Sequence, residues 1–222
     1  MATGLSRRQM YLACGITAAA GFVDGVGFIH LGGYFVSFMS GNSTRAGADL
    51  AGGDLLGWAK ALGLVLSFVT GVVAASLLTA RREPAGAHIV TPQLRAIWLS
   101  VAVLGVAAVC GLFPVLHVAV APLIAAAMGA VNATFTRGGE VSVGLTYMTG
   151  ALVKAGQHLA AALRGKQGTG WLRYAALWCA IAAGSAAGAA AYLLAGLAAL
   201  WLAVLALAGC AAVVQLRRGR AG

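Results

Sequence analysis

Ser37-Phe38-Met39-Ser40-Gly41-Asn42-Ser43-Thr44-Arg45-Ala46-Gly47 returns in degenerate form as Thr146-Tyr147-Met148-Thr149-Gly150-Ala151-Leu152-Val153-Lys154-Ala155-Gly156. In both copies a hydroxyl residue, an aromatic, a methionine, a second hydroxyl residue and a glycine precede one basic residue and a second glycine at the same spacing. Upstream, Gly21-Phe22-Val23-Asp24 is echoed by Gly129-Ala130-Val131-Asn132, displaced by 108 positions against 109 for the longer motif, so one inserted residue reconciles the offsets. The chain reads as a duplication about its centre, each half carrying a backbone break with a charge behind it.

Of 222 residues, 61% are hydrophobic and 9% charged, with a mean hydropathy of +0.90. A water-soluble surface normally needs about a quarter of its residues charged, so this composition specifies a polytopic membrane protein. A span takes roughly 20 predominantly apolar residues, because the hydrocarbon layer is about 30 Å thick and a helix rises about 1.5 Å per residue. That leaves room for roughly six to eight spans and no separate soluble domain. The net charge of +10 would suggest nucleic acid in a soluble protein, but here Lys and Arg cluster between apolar runs and act as topology signals. No nucleic-acid partner is expected.

Met10 to Leu31 forms a first expected span and Gly57 to Ala80 a second, the latter stopped by Arg81-Arg82-Glu83-Pro84. Ala96 to Thr136 is uncharged and too long for one span, and Pro114 to Pro122 divides it into a helical hairpin. Tyr174 to Leu216 repeats the arrangement with a turn near Gly196. Ser6-Arg7-Arg8-Gln9-Met10 has the look of a twin-arginine export signal and Tyr11-Leu12-Ala13-Cys14 of a lipoprotein box. Neither fits, since no soluble cargo follows and the apolar run before Cys14 is too short. Cys14, Cys110, Cys179 and Cys210 sit in apolar runs without CxxC spacing and read as small packing residues. His30, His88, His117 and His158 are scattered, so no metal or cofactor is expected.

With the N-terminus in the cytoplasm, Arg7, Arg8, Arg81, Arg82, Arg95, Arg137, Lys154, Arg164, Lys166, Arg173, Arg217, Arg218 and Arg220 fall inside, leaving only Arg45 and Lys60 of the 15 basic residues outside. That bias places both termini in the cytoplasm. It also makes the halves opposite in direction: two inverted repeats of three transmembrane helices, about 9–113 and 118–216, within a single transmembrane domain spanning 1–222. Eight spans in parallel repeats would move Arg81, Arg82, Arg95 and Arg137 outside and bring Arg45 and Asp49 into the membrane, at about 2.5–3.5 kcal/mol for a charge at its centre. Broken or re-entrant motif segments are therefore favoured.

Non-helical backbone at membrane depth survives only where protein buries it or a wet cavity receives it. In the first motif Tyr34 to Phe38 reads as extended, and Ser40-Gly41-Asn42-Ser43 supplies backbone freedom and caps for a helix starting near Ser43. Thr149 and Gly150 do the same in the second. Two such helix starts near the midplane, with Arg45 and Lys154 a turn later, favour an anionic solute. The structural alternatives are an Arg45–Asp49 pair at i,i+4 spacing and glycines that merely pack helices. Asp24 is the acidic residue inside a clear span, its mate is the neutral Asn132, and Thr134 and Thr136 add hydroxyls beside it. Asp24 is thus a proton-coupling group, a counter-ion to Arg45 or Lys154, or a structural ion pair.

Gly21-Phe22-Val23-Asp24-Gly25-Val26-Gly27-Phe28 followed by Gly33 to Arg45 resembles the YoaK-like family of bacterial inner-membrane proteins, and Thr146 to Gly150 fits that family's second motif. The resemblance implies a multi-pass cytoplasmic-membrane protein, labelled at times a permease, without an established substrate. It carries no catalytic residues. The expected function is a secondary transporter or permease of a small anionic solute, bound by Asp24, Gly41, Asn42, Thr44, Arg45, Asn132, Thr149, Gly150 and Lys154. A channel of the same architecture, an intramembrane enzyme and a scaffold are the alternatives. An enzyme is disfavoured because no Ser/His, paired-carboxylate or metal-ligand set is present. The expected partners are that solute and the lipid bilayer, with a homo-oligomer left open.

Overall fold

The computed structural model describes residues 6–79, 91–137, 140–141, 145–146, 148–165 and 168–219. The expected helix stop from Ala80 to Pro84, Tyr147 of the second motif, and the topology signals Lys166 and Arg220 lie outside the described residues. Helix α1 (Arg7–Leu31) opens on a capping box, in which Ser6 Oγ accepts from Gln9 N at 3.2 Å and Gln9 Oε1 from Ser6 N at 2.8 Å. Two N–H groups that a helix start leaves unpaired are thereby satisfied. The helix ends where Gly32 and Gly33 turn left-handed, with φ of 68° and 96°, a conformation glycine adopts without steric cost.

The chain then continues as α2 (Met39–Ala51), α3 (Leu55–Thr79), α4 (Leu94–Cys110), α5 (His117–Asn132), α6 (Met148–Leu163), α7 (Gly170–Ala195) and α8 (Leu200–Gly219). Short 3-10 turns at Pro114–Leu116 and Gly196–Ala199 join α4 to α5 and α7 to α8. The protein is a helical, multi-pass membrane protein. Arg7–Leu31, Leu55–Thr79, Pro114–Asn132 and the 47-residue run Gly170–Leu216, which holds α7 and α8, are long and apolar enough to cross a membrane. Helix α4 is apolar and, at 17 residues, slightly shorter. Helices α2 and α6 have 13 and 16 residues, too few for a layer about 30 Å thick.

Strands β1 (Thr91–Pro92), β2 (Phe135–Arg137) and β3 (Glu140–Val141) pair antiparallel in the order β1-β2-β3, a small addition to the all-helical expectation. With the 2.6 Å bond from Gln93 N to Thr134 O, they tie the end of α5 to the start of α4. Arg95 Nη1 donates to Leu78 O at 3.1 Å, bringing the end of α3 to the same place. At the opposite end, Lys60 Nζ of α3 donates to Leu31 O of α1 at 2.6 Å, and His30 Nδ1 meets Tyr192 Oη of α7 at 3.0 Å.

Glycines let two helix pairs touch backbone to backbone. Along α1 and α7, a Cβ at Gly21 or Gly25 would overlap the carbonyl of Ile181 or Ser185, and one at Gly184 or Gly188 that of Ala18 or Phe22. Along α3 and α5, Gly71 abuts the Ala126 carbonyl and Gly129 that of Phe68. Contact this close replaces the hydrophobic drive that lipid does not provide. Ile16, Val23, Val26, Leu104, Ile124, Met128 and Leu207 fill the interior between these seams.

Candidate functional site

After Gly33 the chain folds back against α1, and Asp24 holds it there. Asp24 Oδ1 accepts from Val36 N at 2.9 Å and Ser37 N at 2.8 Å, while Ser37 Oγ donates to Oδ2. Gly27 leaves room for the return, since a Cβ there would lie 2.8 Å from Val36 Cγ1. Asn42 closes the loop from the other side: its Oδ1 accepts from Phe35 N at 2.9 Å and its Nδ2 donates to Phe35 O at 2.6 Å, a two-point pairing of a fully buried amide with the backbone.

The second half repeats the clasp with a neutral group. Asn132 Oδ1 accepts from Thr146 N at 3.3 Å and Thr146 Oγ1 at 3.0 Å, and Asn132 Nδ2 donates to Met128 O at 2.9 Å. Thr17 Oγ1 of α1 donates to Leu145 O at 3.3 Å, which pins this segment across the molecule. Between the two folded-back segments lies a cavity of about 550 Å³, lined by Asp24, Gly25, Phe28, Ile29, Phe35 and Phe38 on the first half and by Thr146, Met148, Ile181, Ser185 and Ala189 on the second.

Of the residues expected to bind the solute, only Asp24 is among the described residues that line this cavity. Asn132 stands behind Thr146, and Asn42 behind Phe35. Helix α2 starts at Met39, four residues before the expected start, and no side chain caps it. Ser43 Oγ and Thr44 Oγ1 donate back to the Met39 and Ser40 carbonyls at 3.0 and 3.1 Å, the usual bond of a hydroxyl inside a helix. Thr149 and Gly150 lie in the first turn of α6, and Thr134 is buried with no partner for its hydroxyl among the described residues. Arg45 is not at the cavity. It pairs with Asp49 at 2.9 Å and lies 4.8 Å over the Tyr34 ring, which Lys60 Nζ approaches at 4.4 Å and whose hydroxyl donates to Asp49 at 2.7 Å. That hydrogen bond to Asp49 raises the Tyr34 phenol above its ordinary value. Lys154 lies 6.0 Å from the Tyr174 ring centroid, away from the cavity lining.

Phe28, Phe35, Phe38 and Ser185 were not legible as site residues. Ser37 and Thr146 could have been paired with Asp24 and Asn132 from their matching displacements, 109 and 108 positions.

A family described as protein of unknown function (DUF1275) matches residues 12–213. The chain belongs to the DUF1275 family. A relative from Rhizobium meliloti (strain 1021), the UPF0700 transmembrane protein RA0705, is 36% identical over 206 residues, covering 91% of this chain and 86% of its own. Both agree with the resemblance to YoaK-like membrane proteins. No solved structure matches this DUF1275 protein at a significant level.

Proposed function

We propose that this DUF1275 protein is a permease, a secondary transporter that carries a small solute across the cytoplasmic membrane through the cavity between its two folded-back segments. The observation that carries the reading is that cavity: about 550 Å³, walled by the first residues of both motif segments. Solute sites of carriers form where broken helices meet near the midplane, and irregular backbone at that depth is otherwise costly.

Two inverted repeats, α1–α4 and α5–α8, make the architecture. Three correspondences support this. The α1/α7 seam and the α5/α3 seam use glycines at equivalent positions, Gly21 with Gly129 and Gly184 with Gly71. Asp24 and Asn132 hold equivalent hydroxyl residues. The start of α4 meets the end of α5 at one end of the molecule, and the end of α1 meets the start of α3 at the other. In this reading α2 and α6 are re-entrant, and both termini face the cytoplasm, which the basic residues around the start of α4 support.

The test is saturable flux in proteoliposomes for a panel of small charged and neutral solutes, with Ala189→Trp, which fills the cavity, beside the wild type. One solute class should be carried by the wild type and lost in the variant. Flux no greater than that of empty liposomes across the panel, or flux that Ala189→Trp leaves intact, contradicts the proposal.

A further inference from the structure

Among the described residues, the lining of the cavity has one ionisable group and a wall of rings. Asp24 borders it with Phe28, Phe35 and Phe38. The Phe28 and Phe35 centroids are 5.1 Å apart, and those of Phe35 and Phe38 are 5.2 Å apart at 84°, edge to face. Rings tilted against one another in this way are not stacked flat together, so each keeps a face or an edge open to the space it lines. Gly41, inside the duplicated motif, makes the corner: a Cβ there would come within 2.5 Å of the Phe38 ring and 2.9 Å of the Phe35 ring.

The remaining polar groups of the lining have already given up their donors. Thr146 Oγ1 donates to Asn132 and Ser185 Oγ to Gly21 O, and among the described residues no Lys, Arg or His lines the space. The Val36 and Ser37 N–H groups ahead of α2 are held by Asp24, and Met148 N at the start of α6 is bonded to Thr146 O at 3.0 Å. The partial positive charge of a helix start fades within a turn, whereas a carboxylate ionised beside a bound cation acts behind apolar walls at low effective dielectric. Among the described residues, an anion would meet the Asp24 carboxyl and no free side-chain donor; a cation meets a carboxyl whose hydrogen-bond partners, Val36 N and the Ser37 N–H and hydroxyl, are all neutral.

We infer that the cavity takes an organic ammonium cation, a quaternary or protonated amine held by the charge of Asp24 and the faces of Phe28, Phe35 and Phe38. The inference rests on reading the cavity as the solute site.

Three probes of one shape test it on the full-length protein in lipid nanodiscs, by calorimetry against empty nanodiscs: choline, its neutral isostere 3,3-dimethylbutan-1-ol, and the anion 3,3-dimethylbutanoate. Choline should bind about tenfold or more tighter than the alcohol, and the anion should bind more weakly than either. Phe35→Leu keeps apolar bulk and loses the ring quadrupole, so the affinity for choline should fall about fivefold while that for the alcohol holds. Asp24→Asn keeps an acceptor for the Val36 and Ser37 N–H groups and should lower the choline affinity about tenfold. If the Asn variant does not fold, the choline-to-alcohol ratio of the wild type decides. Equal binding of choline and alcohol, or tighter binding of the anion, overturns the inference. Flux of the same probes separates the two claims: choline bound but not carried upholds the cation site and sinks the permease, whereas carriage of the anion with choline neither bound nor carried does the reverse.

Discussion

The Asp24 clasp and the Asn132 clasp do the same mechanical work with different chemistry. Each receives, on side-chain oxygen of a membrane helix, the N–H and hydroxyl of the residue that begins the duplicated motif, Ser37 on the two oxygens of Asp24 and Thr146 on the one oxygen of Asn132. In the first half the acceptor is a carboxylate with a second backbone donor, Val36 N. In the second it is an amide that spends its own N–H on Met128 O. A neutral amide suffices to hold such a segment. An ionisable carboxyl in place of that amide is what distinguishes one side of the cavity from the other.

The widest separation between the halves should come from deleting each acceptor. Asp24→Ala leaves two backbone N–H groups and a hydroxyl without partners in an apolar setting, at about 1–3 kcal/mol each. We expect little or no folded protein by fluorescence-detected size exclusion. Asn132→Ala strips fewer donors and should lower stability by about 1–3 kcal/mol, visible as a reduced melting temperature. Equal losses in the two variants would break the asymmetry.

The paired seams should respond alike. Gly184→Val at the α1/α7 seam and Gly71→Val at the α3/α5 seam each drive a side chain into a carbonyl, of Ala18 or Ala126, for about 1–3 kcal/mol of overpacking. A large effect at one seam with none at the other would count against equivalent repeats. The smallest effect is expected at Arg45. Arg45 is half exposed, and its buried partner Asp49 keeps the Tyr34 hydroxyl as a donor, so Arg45→Gln should leave both the melting temperature and the choline affinity close to wild type. A marked loss of choline affinity there would put Arg45 at the cavity after all.

Much of this fold is written plainly in the chain. The six long apolar helices follow from hydropathy, and the shared spacing of Gly21–Asp24 and Gly129–Asn132 marks the positions that later hold the motif segments. The polar cluster was less legible. Asn42 looks like a cap beside Gly41, yet the reversal at Gly32 and Gly33 brings Phe35 back to it, and an amide matches both groups of a peptide edge. Arg45 and Lys154 recur in register, which suggested a shared role, but one meets Asp49 within its own helix and the other the Tyr174 ring. Phe28, Phe35 and Phe38 were hidden because a phenylalanine in an apolar run reads as lipid-facing until the chain reversal gathers the rings.

Accessibility of Ser185, on the α7 wall of the cavity, tests the central claim most directly. In a background with Cys14, Cys110, Cys179 and Cys210 replaced by Ala, Ser185→Cys would be exposed to membrane-impermeant methanethiosulfonates from one face of oriented vesicles and then from the other. A transport cavity predicts modification from both faces, faster with a cationic than with an anionic reagent because Asp24 lines the same space. A thiol that stays unmodified from either face, or reacts from one face only, contradicts it.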